Sequence, residues 1–326
     1  MKEFAYRRAR DVRDALLAGD GGARYLGGGT NLVDLMKCGV EAPDKLVDVR
    51  FLPLAGIREA PDGGLVIGAT ATNSDTAAHP EVRRRYPALS QAVLAGASGQ
   101  LRNMATVGGN LLQRTRCGYF ADPSQPCNKR LPGSGCPAIA GEHHNHAVLG
   151  RSRHCAATHP SDLAVALAAY DAVVRYETLD GPGEVPLTEL YPPVGDTPER
   201  ETVLPPGALI TAVALPGVPL RARYRKVRER ASYAFATVSI AAGLGVRDGA
   251  VRDVRIAWGG VASRPWRAGT AEDLLRNGPA TPEAFLAAAE AELSAAEPLP
   301  GNAYKVTLAR NLTVAVLTRL AEEASA

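Results

Sequence analysis

Apolar positions recur along this chain with two periods, and turn residues mark where one gives way to the other. Over 304–323, Leu308, Leu312, Val316 and Leu320 repeat at every fourth position and form one apolar stripe, which predicts a helix. A second helix is predicted over 282–297. From 222 to 258 the pattern is that of strands, at 222–227, 238–247 and 251–258, the last two joined by Asp248-Gly249, a hairpin signal. Further toward the N-terminus, short strands and helices are mixed. A strand over 4–9 is followed by a helix that Asp11 caps, running through Leu17 with Asp14 at the capping-box position and Gly19 as its stop. A small-residue strand over 23–26 leads into a glycine run and a helical turn to Lys37. Strands at 46–49 and 64–68 and helices at 75–78 and 87–97 come next. Ser161-Asp162-Leu163 opens a helix to Ala169, and 172–176 is a strand. The Pro/Gly-rich passage 180–206 reads as linker and loop, and a strand over 208–215 ends at Pro216-Gly217, a plausible domain boundary. The whole is α+β.

One stretch follows neither period. Between 111 and 158 the chain is rich in Gly, Pro and charge and holds Cys117, Cys127, Cys136 and Cys155, four of its five cysteines, spaced C-x9-C-x8-C-x18-C. A long loop without secondary structure is unusual inside a compact domain. Ordering it costs about 1–2 kcal/mol per residue of conformational entropy, which favours a strong cross-link. Disulfides are disfavoured by the expected compartment. A structural zinc site usually shows close C-x(2–4)-C pairs, absent here, whereas a [4Fe–4S] cluster on four thiolates tolerates wide spacing. Spacing alone leaves zinc and iron–sulfur even. Cys38 has no nearby partner and reads as a small buried hydrophobe. His143, His144, His146 and His154 read as loop or surface histidines, and the Ser, His and Asp of the 158–162 segment lie too close in sequence to propose a triad.

Composition narrows the classes. With 326 residues, two or three packed units are expected. The net charge of +3 is small and the charges are interspersed, so no nucleic-acid footprint is expected; aromatics at 5% argue against base-stacking platforms. The N-terminal segment is charged and lacks the apolar core of a signal peptide, and apolar stretches such as 163–170 are too short to span a bilayer. The expected compartment is cytoplasmic with no membrane insertion, or periplasmic if the chain is exported alongside a signal-bearing partner.

Two glycine elements carry candidate chemistry. Gly27-Gly28-Gly29-Thr30-Asn31 sits between a strand and a helical turn, where bare backbone can approach an anion closely. It lacks the G-x-G-x-x-G of a dinucleotide fold and the Lys-Ser/Thr of a P-loop. The segment from Arg102 to Asn110, with Thr106-Val107-Gly108-Gly109-Asn110, again joins hydroxyl, amide and bare backbone. Two such loops in one domain could clamp a pyrophosphate.

These elements, with Pro160-Ser161-Asp162-Leu163, Tyr224-Arg225-Lys226-Val227, Arg230 and Ala236-Thr237-Val238, resemble the FAD-binding subunits of molybdenum hydroxylases: xanthine dehydrogenases, carbon monoxide dehydrogenases and aldehyde oxidoreductases. The resemblance spans nearly the whole chain. It implies a PCMH-type FAD-binding domain of two α/β subdomains over 1–216, and a flavoprotein C-terminal domain over 217–326 with a three-stranded antiparallel sheet and helices. Carried over, Tyr25, Leu26, Gly27, Gly28, Gly29, Thr30, Asn31 and Leu32 would cradle the FAD pyrophosphate. Thr106, Gly109 and Asn110 would hold the cofactor from the second loop, Asp162 would contact it and Ile210 would pack on it. Lys226 would place a cation near the flavin, with Arg230 beside it.

Relative to family members without extra cysteines, about 45 residues are inserted, at roughly 113–157. The runs around Cys117, Cys127 and Cys136 and the 146–150 segment are similar to a bacterial subgroup of aldehyde oxidoreductase flavin subunits carrying a [4Fe–4S] cluster. That resemblance, and not the spacing, implies Cys117, Cys127, Cys136 and Cys155 as the cluster ligands. It also implies an electron-transfer subunit in a heterotrimer. A large molybdenum-cofactor subunit and a small [2Fe–2S] subunit would be its partners, and electrons would leave FAD for an external acceptor. No catalytic acid or base stands out. A self-sufficient flavin oxidase and a non-enzymatic, zinc-stapled binding module are the alternatives.

Overall fold

The computed structural model describes residues 1–217 and 220–325. Their strands form three sheets. In the first, Ala5–Arg8, Lys45–Asp48 and Arg24–Leu26 lie parallel in that order. Parallel neighbours need crossovers, and the helices Val12–Gly19 and Leu32–Lys37 provide them. Asp11 caps the first helix by accepting from the Asp14 N–H. Ala15, Leu16 and Ala18 of that helix pack on Val47, Val49 and Leu52. Strand Arg24–Leu26 thus delivers the glycine run to the carboxyl edge of a parallel sheet, where α/β folds place their ligands.

The second sheet is antiparallel, in the order Ile57–Glu59, Leu65–Gly68, Leu209–Leu215, Val173–Thr178, Gly181–Pro186. Between its second strand and its later ones the chain makes the helices Asn73–Ala78, Pro80–Arg85, Pro87–Ala95, Gly99–Met104 and Val107–Leu111, then the cysteine loop, then helix Asp162–Ala169. All eight residues of that last helix are buried, so it runs through the main core and not along its surface.

The third sheet is antiparallel, in the order Trp266–Arg267, Ala250–Gly259, Val238–Arg247, Arg221–Val227. The expected three long strands are joined by a two-residue edge strand. At the hairpin, Asp248 (φ 53°) and Gly249 (φ 72°) both occupy the left-handed region that a two-residue turn of this hand requires. Both faces of the sheet are buried, and side-chain size alternates across it. Ile240, Ala242, Val254, Ile256 and Trp258 pack against the C-terminal helices Gly269–Leu275, Pro282–Leu293 and Tyr304–Ser325. The small Ala241 and Ala257 face the other way, into the core shared with Asp162–Ala169. Val316 and Leu320 of the predicted stripe are buried there, with Leu308 and Leu312 packed at its margin.

Two expectations need correction. The 180–206 passage is not all loop: Gly181–Pro186 pairs with Val173–Thr178, and Leu187–Leu190 is a helical turn. Pairing overrides weak strand propensity there, and a Cβ at Gly183 would lie 2.5 Å from the Tyr176 ring, so a larger residue would need that ring to move. Cys38 is exposed, not buried, because it sits past the last turn of Leu32–Lys37. No helix among the described residues is long and apolar enough to cross a membrane.

Candidate functional site: a cleft and a cysteine cavity

A cleft of about 1270 Å³ is lined by the segment after Arg24–Leu26, by the helices and loops between the second sheet's strands, and by the third sheet. Its floor depends on glycine contacts that no other residue permits. A Cβ on Gly28 would stand 1.8 Å from the Met104 carbonyl oxygen, and one on Gly27 would stand 2.7 Å from Thr106 Oγ1, so the first glycine loop lies flat against the second. Thr106 caps the short helix Val107–Leu111, its hydroxyl accepting from the Gly109 N–H at 3.2 Å. Asn110 Oδ1 accepts from Ser161 Oγ (2.6 Å) and Gln113 Nε2 (2.9 Å), and Ser161 Oγ in turn accepts from the Ala164 N–H as the cap of the core helix. One chain of hydrogen bonds therefore fixes the second glycine loop to the segment bearing Asp162.

Gly29, Thr30, Asn31, Gly109, Asn110, Asp162, Lys226 and Arg230 all line this cleft. Tyr25, Leu26, Gly27, Gly28, Leu32 and Thr106 stand behind that surface; Tyr25 donates its hydroxyl proton to the Gly207 carbonyl at 2.7 Å, and burial pushes its phenol up to about 12. Ile210 is set apart. It is buried in the main core on Leu209–Leu215 and does not reach the cleft.

Asp162 and Lys226 meet in the wall. Lys226 Nζ lies 2.7 Å from Asp162 Oδ2 and donates also to the Ala95 carbonyl at 3.2 Å; the two side chains are 9% and 3% exposed respectively. Tyr224, which sequence reasoning missed, donates its hydroxyl proton to Asp162 Oδ1. Burial, with the Asp162 charge beside it, raises the Tyr224 phenol far above its usual range, so it stays a donor. Over the cleft, Arg230 donates to the Tyr233 carbonyl at 2.8 Å, and the Arg116 guanidinium lies 4.8 Å from the Phe235 ring centroid.

The cleft also gathers unpaired polar atoms. Asn31 Nδ2, Asn73 Oδ1, Arg116 Nε, His146 Nδ1, His159 Nε2 and Ser239 Oγ are buried without a hydrogen-bond partner, and all six residues line it. Among the described residues only His79 and Thr318 carry such atoms elsewhere. Orphaned groups cost about 1–3 kcal/mol each, so their concentration marks a surface shaped for a polar ligand. Burial pushes the His159 imidazole down to about 4, hence neutral, and its ring packs on Tyr191 with centroids 4.4 Å apart.

A second, smaller cavity is lined by Cys117, Cys127, Cys136 and Cys155 together, with Lys129 among its other walls. All four are free thiols. The loop bearing them has only the turn Gly118–Ala121 and the 3-10 turn Pro137–Ile139, so side chains hold it. Arg114 reaches Glu41 (2.5 Å) and Glu201 (2.6 Å), and Lys129 reaches Glu201 (2.9 Å) and the Pro198 carbonyl (2.8 Å). Burial pushes Glu201 up, but Lys129 and Arg114 outweigh it and hold the carboxylate below its usual range. Asn128 accepts from the Gly135 N–H at 2.7 Å and donates to the His154 carbonyl at 3.0 Å. Burial pushes the Cys155 thiol up to about 11, against the opposing Lys129 charge, and raises Cys117 as well. No three His, Cys, Asp or Glu side chains among the described residues are grouped so as to hold one metal ion.

The two cavities share a wall, since Cys117 and Tyr119 line both. His146 also belongs to it: it lies in the loop, as one of the expected readings had it, but not at the surface, being 8% exposed with Nε2 3.2 Å from Cys117 Sγ. The segment after Asn145 turns inward because Val148 and Leu149 join the core of the third sheet.

Known proteins resemble this chain over nearly its whole length. Residues 2–218 match the FAD binding domain in molybdopterin dehydrogenase, and residues 222–320 match the CO dehydrogenase flavoprotein C-terminal domain. The aldehyde oxidoreductase FAD-binding subunit PaoB of Escherichia coli K12 is 49% identical, over 99% of this chain and 100% of its own length. The glyceraldehyde dehydrogenase medium chain of Sulfolobus acidocaldarius is 26% identical over 82% of this chain and 78% of its own. Among solved structures, carbon monoxide dehydrogenase from Hydrogenophaga pseudoflava, in a form lacking the Mo-pyranopterin moiety of its cofactor, superposes with a TM-score of 0.77. It shares 26% identity, covering 99% of this chain and 98% of that one.

Proposed function

The chain belongs to the FAD-binding subunits of the molybdenum hydroxylase family, and on that premise we propose that it is the electron-transfer subunit of a molybdenum-dependent aldehyde oxidoreductase. Its partners would be a molybdenum-cofactor large subunit and a small [2Fe–2S] subunit, with an external acceptor receiving the electrons. We read 1–216 as the FAD-binding unit, 113–157 as an insertion in it that holds a [4Fe–4S] cluster, and 217–326 as the second unit.

The observation that carries the flavin assignment is the cleft's set of six orphaned polar atoms over a glycine floor with no room for side chains. Bound FAD supplies a redox centre able to exchange electrons singly or in pairs. The chain's own part is to bind, orient and insulate it. The bare backbone of the first loop and Thr30, Asn31, Gly109 and Asn110 suit the diphosphate. Lys226 supplies a fixed positive charge, kept in place by Asp162 and Tyr224. Asp162 is the buried carboxylate of the cleft wall, and with both oxygens engaged it is not available as a base. That agrees with substrate oxidation taking place on a partner.

The cluster assignment rests on donor chemistry. Four thiols without disulfides line one cavity in a loop that lacks a core of its own, and a protonated thiol such as Cys155 there becomes favourable as a thiolate only beside a bound cation. Anaerobic stopped-flow tests the whole reading. Aldehyde is expected to reduce the flavin in the assembled complex, and not in a complex prepared without molybdenum. Direct reduction of flavin by aldehyde in the isolated chain would overturn the reading and point to a self-sufficient flavin oxidase.

A further inference from the structure

His146 is held from both ends. Its carbonyl accepts from Asn302 Nδ2 at 3.1 Å and from Lys305 Nζ at 3.1 Å, and both donors are completely buried. Lys305 also donates to the Gly260 carbonyl at 2.7 Å, and Asn302 to the Ala147 carbonyl at 3.3 Å, so the second unit grips the end of the cysteine loop. At its other end the imidazole brings Nε2 to 3.2 Å from Cys117 Sγ, while Nδ1 is buried without a partner.

From this geometry we infer that His146 is a positioning residue for the metal centre, donating an Nε2–H···S hydrogen bond to Cys117 and thereby raising the reduction potential of the cluster. The inference rests on the assignment of Cys117 as a ligand in the proposed function. A ligating thiolate only accepts, so it requires the proton on Nε2 and leaves Nδ1 as a lone pair. Hydrogen bonds to ligating sulfurs stabilise the added negative charge of the reduced cluster and are one of the levers that set its potential. The double grip on the His146 carbonyl, from two fully buried side chains, holds the ring in register with the sulfur. A histidine that merely filled space would need no aligned nitrogen.

The test is a redox titration of the cluster followed by EPR in the assembled complex, for the wild type, His146→Phe and His146→Gln. Phenylalanine keeps a ring but no N–H, and glutamine keeps a donor. His146→Phe is expected to lower the potential by about 59 mV, a tenfold change in a one-electron equilibrium, and His146→Gln to recover part of it. A second measurement needs no variant: pulsed EPR of the reduced wild-type cluster carrying ¹⁵N-histidine is expected to show a weak nitrogen coupling. An intact four-iron cluster at the wild-type potential in His146→Phe, or no ¹⁵N coupling in the wild type, overturns this inference alone. A wild-type protein without a four-iron cluster overturns the underlying assignment and the inference with it.

Discussion

The cleft and the cysteine cavity share a wall but are built in opposite ways. The cleft stands where regular elements end: a parallel strand edge, the caps at Thr106 and Ser161, and the strand Arg221–Val227. Its glycines and amides are fixed by close backbone contacts that do not depend on a ligand. The cavity stands in a loop with two short helical turns, tied by Arg114 and Lys129 to segments distant in sequence and across itself by Asn128. Two of its thiols, Cys117 and Cys155, are driven toward the protonated form by burial. The fold shapes the first site, whereas the second, on the proposed assignment, would reach its final form only with its cluster. Changes at the two sites should therefore fail differently.

The largest effect is expected at Gly28. A valine there meets the Met104 carbonyl and forces the two glycine loops apart. Purified Gly28→Val should contain almost no FAD and melt well below the wild type; stoichiometric FAD would show that the packed floor is not needed. Next is the cavity. Cys136 does not line the cleft, so Cys136→Ser should lose most of the iron and keep FAD near the wild-type level by flavin and iron analysis. Parallel loss of flavin and iron would dissolve the contrast between the sites.

Lys226→Met leaves Asp162 as an uncompensated buried charge, at a cost of about 3–5 kcal/mol in denaturant unfolding. Adding Asp162→Asn should recover much of that loss, and strictly additive effects would contradict the pairing. The smallest effect concerns His159. Its imidazole titrates at about 4 in the folded protein, below its ordinary value of 6.5, because burial disfavours the charge. Between those values the unfolded chain binds the extra proton and the native chain does not. Stability should therefore fall as pH drops from 6.5 toward 4, by up to about 1.4 kcal/mol per pH unit. His159→Gln should flatten that slope in urea unfolding at pH 7 and pH 5, and an unchanged slope would remove His159 as its source.

What could be read in advance was chemistry encoded locally. The glycine runs, the Ser161-Asp162 cap and the cysteine quartet are each contiguous or confined to one loop, so residue type and spacing exposed them. The strands of the third sheet were legible because alternation and Asp248-Gly249 are local as well. What escaped was made by long-range contact. Lys226 and Asp162 are 64 positions apart, and their pairing in the cleft wall had no signature in either neighbourhood. Tyr224 looked like an ordinary strand residue. His146, 29 positions from Cys117, was one of four histidines in a polar loop, and only the inward turn at Val148 and Leu149 distinguishes it. Cys38 was misplaced because a helix end and not its polarity decides its exposure. Gly181–Pro186 was hidden by residues that disfavour strands until a partner strand is present.

The central claim is that one chain carries a flavin site and a separate four-thiolate cluster site. Quantifying iron, acid-labile sulfide, zinc and FAD in the anaerobically purified protein tests it most directly. About four irons and four sulfides per FAD are expected, as a cubane on four thiolates requires. Stoichiometric zinc with no iron would contradict it.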